Sequence, residues 1–146
     1  MSLVKDDETA CLDDLHREGM EAIGVFDDLG QRIDDADLET LVVAHAATQR
    51  QLLERVADLR RARGEMPHAA DPERSRLEAA GAVVRAVLLP GQTATHYVET
   101  LLEAVRKVEL HVDAALALEL DPELRSVLEA LRADAAAFGE ALGTRL

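Results

Sequence analysis

The stretch VETLLEAVRKVELHVDAALALE, Val98 to Glu119, decides the fold of this chain. Val98, Leu102, Val105, Val112 and Leu116 recur at three- and four-residue spacing, which gathers apolar side chains on one face of a helix. Glu109 falls in the same row. A carboxylate inside an apolar stripe needs a donor, a counter-charge or a metal, because an unpaired buried charge is expensive. Glu109 is therefore the first candidate site residue, and what it does depends on the helices that face it.

Those helices are legible on either side. The spacing predicts one from Cys11 to Ile33, with the stripe Leu12, Leu15, Gly19, Ala22, Phe26, Leu29 and Ile33. A second runs from the acidic turn Asp34–Asp37, where Asp35 or Asp37 offers an N-cap, to about Arg63, and Gly64 stops it. Its stripe reads Leu38, Val42, His45, Gln49, Leu52, Val56 and Leu59. A third, Ala- and Val-rich helical piece is expected from Pro72 to Leu89, broken by Pro90 and Gly91 before the central helix. The last helix opens on Asp121 and Pro122 and carries Leu124, Leu128, Leu131, Ala135, Phe138 and Leu142. The short turns predict an all-α, up-down-up-down four-helix bundle with its third helix broken near Pro90-Gly91. Residues 1–10 are expected to be flexible and 11–146 to form one domain, a length able to bury a core unaided.

Composition narrows the function classes. A net charge of −13 repels phosphate backbones. The arginines of helix two, Arg50, Arg55, Arg60, Arg61 and Arg63, are interspersed with acids and read as a solvated face, so no nucleic acid partner is expected. One cysteine, Cys11, excludes an internal disulfide and fits a reducing compartment. A polar, acidic N-terminal stretch and the absence of a run of roughly 20 apolar residues give the expectation of a soluble, cytoplasmic protein without membrane contact. No phosphate loop, dinucleotide fingerprint or nucleophile elbow occurs.

Chemically capable residues are few. His45 and Gln49 stand one turn apart within the helix-two stripe, either as ligands or as a satisfied polar pair. His16 and Glu18 flank the first stripe, and His96 and Glu99 make a one-turn pair near the start of the central helix. His111 lies outside its stripe, Glu103 and Asp113 point to solvent, and His68 falls in the link after helix two.

LDDL at Leu12–Leu15, AATQR at Ala46–Arg50 leading through ADL to RGEMP at Arg63–Pro67, LEAVRKVE at Leu102–Glu109 and DPELRSVLE at Asp121–Glu129 resemble the small bacterial ferritin-like bundles of unknown role. In metal-binding members of that superfamily, two helices each give a Glu and two each give a Glu-x-x-His around two irons or manganese ions. The chain departs from this pattern. Ile23 stands where an inward Glu belongs, Ala44 and His45 where Glu-x-x-His begins, and Phe138 and Gly139 where the last His belongs. Glu109 alone matches.

The resulting expectation is a metal-free, non-enzymatic bundle with a structural or interaction role, in which Glu109 accepts hydrogen bonds from His45 or Gln49. One alternative is a degenerate iron or manganese oxidoreductase or storage relative using Glu109, His45 and Gln49 as ligands. Another is a small-ligand binder with a pocket at Gln49 and Glu109. A homodimer through the Ala- and Val-rich third segment is the partner expectation.

Overall fold

A computed structural model describes residues 3–64 and 94–146. The expected third piece at Pro72–Leu89, the break at Pro90-Gly91 and His68 lie outside the described residues. Within them the chain is all-helical: α1 Leu3–Gly30, α2 Ala36–Ala62, α3 Ala94–Leu116 and α4 Pro122–Gly143. Helix α1 begins ahead of Cys11, so the stretch expected to be flexible is helical from Leu3.

Local chemistry sets the ends. Asp35 is the N-cap of α2, its Oδ1 accepting from the backbone N–H groups of Asp37 (3.0 Å) and Leu38 (3.1 Å). These satisfy donors that the first helical turn leaves without a partner. The Asp35 carboxyl is held below its ordinary pKa first by the Leu38 N–H, with Arg145 and Asp37 adding to the effect against partial desolvation. Gly64, just beyond α2, takes φ +83°, a left-handed conformation that glycine adopts without a Cβ clash. Pro122 opens α4 at a position whose N–H has no helical acceptor anyway.

Ion pairs fix the directions of the helices. Glu8, Asp13 and Asp27 of α1 meet Arg63, the C-cap of α2, and Arg60 and Arg50 within it in reverse order, so these two helices are antiparallel. Asp35 meets Arg145, and His45 meets Asp134, which makes α2 and α4 antiparallel. Arg125 Nη2 donates to Leu116 O (3.0 Å), and Arg132 Nε to Asp113 Oδ1 (2.7 Å), which does the same for α3 and α4. Helix α1 packs on α2 and α3, and α4 packs on the same two, leaving α2 and α3 on one diagonal of the square.

Helices α2 and α3 therefore point the same way, and the end of α2 lies at the opposite end of the bundle from the start of α3. The strict up-down-up-down alternation expected from the sequence does not hold among the four described helices. That alternation follows only where turns are short, as they are after α1 and after α3, whereas residues 65–93 stand between α2 and α3.

The core runs along the bundle axis. All six expected apolar positions of α4, from Leu124 to Leu142, are buried. On α1 the expected row is buried as well, and Gly19 lets α2 come close: a Cβ there would lie 2.6 Å from Leu53 Cδ1. Helix α2 buries Leu53, Val56, Ala57 and Arg60 after Gln49, in place of the expected Leu52 and Leu59. Helix α3 buries Leu101, Val105, Val108, Val112 and Ala115, which moves Glu109 from the middle of its stripe to the edge facing α4.

Candidate functional site

The candidate site is a polar group held among aromatic rings in the middle of the bundle. Phe26 of α1, His45 of α2 and Phe138 of α4 each belong to their helix's inward row, so the bundle brings the three rings together. His45 stacks on Phe138 with centroids 3.9 Å apart and planes 16° apart. Phe26 presents its edge to both, at 5.0 Å from His45 and 5.6 Å from Phe138. These are the two phenylalanines of the chain, and offset or edge contacts of this kind contribute beyond the area they bury.

Asp134 of α4 completes the group. Gln49 Nε2 donates to Asp134 Oδ2 (2.9 Å) and leans towards Leu131 O (3.4 Å). His45 Nδ1 lies 2.8 Å from the same carboxylate oxygen, a close polar contact that falls short of an aligned hydrogen bond. His45 and Gln49 are 5% and 2% exposed, so Asp134 answers two side chains that have no water to turn to. Burial pushes the Asp134 carboxyl up, but His45 and the Gln49 donor outweigh it, and the net result lies below the ordinary carboxylate value.

The expected partnership of Glu109 with His45 or Gln49 is not what the structure contains. Glu109 pairs with Arg132 of α4, which also holds Asp113. The reason is the diagonal: α2 and α3 do not pack directly, so an acid on α3 turns to α4. The structure thus joins His45 and Gln49, as their spacing suggested, and separates them from Glu109. Asp134 escaped the sequence reading because it flanks its stripe. Its signal was the spacing to Phe138, one helical turn on, in the otherwise alanine-rich ADAAAF.

Other sequence candidates fall at the surface or between helices. His111 Nε2 of α3 is 3.9 Å from Glu18 of α1, a loose pairing. No ion pair joins His96 to Glu99 among the described residues. Arg60 was expected on a solvated face but is 1% exposed, its Nη2 donating to Asp13 Oδ1 at 2.9 Å. His16 lines a groove of about 370 Å³ between α1 and α2 with Met20, Leu53 and Arg61. Its imidazole is held below the ordinary histidine value by burial first, then by Arg60 and Arg61 against Asp13. Burial and Asp14 push the Cys11 thiol up, which disfavours the thiolate that nucleophilic chemistry needs.

Among the described residues no three His, Cys, Asp or Glu side chains converge as a metal-binding group, and no helix is long and apolar enough to cross a membrane. Fold and site together define, among the described residues, an all-helical four-helix bundle with a polar clamp between α2 and α4. No protein-family model, curated protein or solved structure matches the chain.

Proposed function

We propose that this chain is a ferritin-like bundle whose interior is structural and whose role lies in protein interaction at its outer faces. The observation that carries this reading is the filling of the bundle centre. Where metal-carrying bundles converge carboxylates and imidazoles from four helices, this chain packs Phe26 and Phe138 around His45. Its nearby acids are committed: Asp134 to Gln49 and His45, Glu109 to Arg132. A single imidazole with one carboxylate and one amide is a poor donor set for a pair of cations that need several bridging oxygens.

The helix directions support the ferritin-like part of this reading. Two antiparallel hairpins whose middle helices run the same way make the bundle class with one long crossover. The test is elemental analysis of chain purified without a metal-affinity step, then exposed to ferrous iron or manganese and dialysed. Metal well below one equivalent is expected. Stoichiometric iron or manganese, lost on His45→Phe or Glu109→Leu, would replace this reading with the degenerate metal-site one.

A further inference from the structure

The outer valley between α2 and α4 is sparing in charge among the described residues. Ala44, Thr48 and Leu52 of α2 and Val127, Ala130 and Ala137 of α4 line it; Ala44, Ala130 and Ala137 are exposed and the other three half-buried. Helical spacing turns Arg50, Glu54 and Asp58 towards α1, and Glu129, Arg132 and Glu140 to the far side of α4. Between Leu41 and Val56, and between Ser126 and Ala141, the charged residues left in the valley are Arg55 and Asp134, and Glu123 stands one turn beyond, at the valley's end. Charged residues make up 31% of the chain, so a stretch of this length with two charges in it is a marked departure.

We propose that two copies of this chain pair through the α2–α4 valley as a two-fold dimer, a proposal that rests on the interaction reading above. The charge distribution chooses the occupant. Each copy carries −13, so like charges oppose contact between most faces of two copies. In this valley that opposition is reduced by the scarcity of charge, and small alanine side chains let helices approach closely. The two charges it does hold are complementary under a two-fold axis. Gln49 stands level with Leu131 and His45 level with Asp134. An axis crossing the valley at the level of Ala130 therefore brings Arg55 of each copy to the level of Asp134 of the other. Arg55 is exposed and forms no ion pair among the described residues, and 29% of the Asp134 side-chain surface remains open. Each Asp134 would thus anchor its own helix pair on one side and receive a guanidinium on the other.

Sedimentation equilibrium on the full chain tests this, using the native sequence, Ala137→Glu, Arg55→Glu and, as a control on the far side of α4, Ala136→Glu. All three substituted positions are solvent-facing, and circular dichroism checks that each variant keeps its helix content. The native chain and Ala136→Glu are expected to be dimers, with dimer dissociation constants raised at least about tenfold by Ala137→Glu and by Arg55→Glu. A native chain monomeric up to about 100 µM, where pairing of micromolar affinity is populated, would overturn the dimer and mean that something else covers the valley. A dimer indifferent to Ala137→Glu would overturn it equally. Both results leave the metal content untouched, so the dimer can fail while the metal-free reading stands, and the reverse.

Discussion

At the scale of single residues, Asp134 carries more than its position suggests. It accepts from Gln49 and lies against His45, both nearly sealed from water, so Asp134→Ala leaves the Gln49 amide without its acceptor and His45 Nδ1 without its nearest carboxylate oxygen. The expected cost is about 2 kcal/mol, measured by urea denaturation of the variant against the native chain. His45→Phe together with Gln49→Leu in the Asp134→Ala background is expected to recover most of it, because apolar replacement removes the stranded groups as well. The sign with pH follows from the depressed carboxyl. The Asp134 contribution is fully present above the unfolded carboxylate value, about 3.9, and is lost as pH falls through the lower folded value. Acid titration of stability should therefore show less steepening below about pH 4 in Asp134→Asn than in the native chain. Glu109 behaves differently. It is partly exposed, and Arg132 keeps Asp113 when Glu109 is gone, so Glu109→Leu is expected to shift stability by less than about 1 kcal/mol in the same assay.

At the scale of elements, α4 and α1 were legible in the sequence and the second half of α2 was not. The rows Leu124 to Leu142 and Leu12 to Ile33 face the core as their spacing dictates. On α2, a strict three-four alternation continued past Gln49 leads to Leu52 and Leu59. A straight helix of 3.6 residues per turn drifts about 20° per heptad against that alternation, and by Leu53 the buried row has moved one residue on. The drift also turns Arg60 inward, where its hydrocarbon stem joins the core and its guanidinium reaches Asp13. Arg60→Ala is expected to destabilise the chain by about 3 kcal/mol in thermal or urea unfolding, since packing is lost and Asp13 is left without its counter-charge. A change below about 0.5 kcal/mol would place Arg60 among ordinary surface pairs.

At the scale of the whole molecule, spacing and turn length established the two helical hairpins but not how one docks on the other. Each hairpin is closed by a short link with its own start or stop residues, and these are local signals. Which helices become neighbours across the bundle is settled by the fit of whole faces, a non-local matter. This is why His45 and Gln49 were recognised as a pair while their partner was sought on α3. The helix diagonal to α2 cannot supply it, and the neighbouring α4 does. Phe26 and Phe138 were visible as core residues, but their enclosure of His45 depends on three helices meeting at one level.

The common direction of α2 and α3 also bears on the order of events when the chain folds. Within each hairpin the contacts are close in sequence and cheap to close, whereas Gln49 and Asp134 are 85 residues apart. The hairpins should form first and the α2–α4 clamp only on docking, after the rate-limiting barrier. In stopped-flow refolding and unfolding, Asp134→Ala is then expected to accelerate unfolding by most of its stability loss and to leave the folding rate nearly unchanged, whereas Leu15→Ala on the inward row of α1 should slow folding. Equal partition in both variants would mean that docking and hairpin formation are one event. On the expected outcome the clamp is a lock on the native state's lifetime rather than a guide to reaching it.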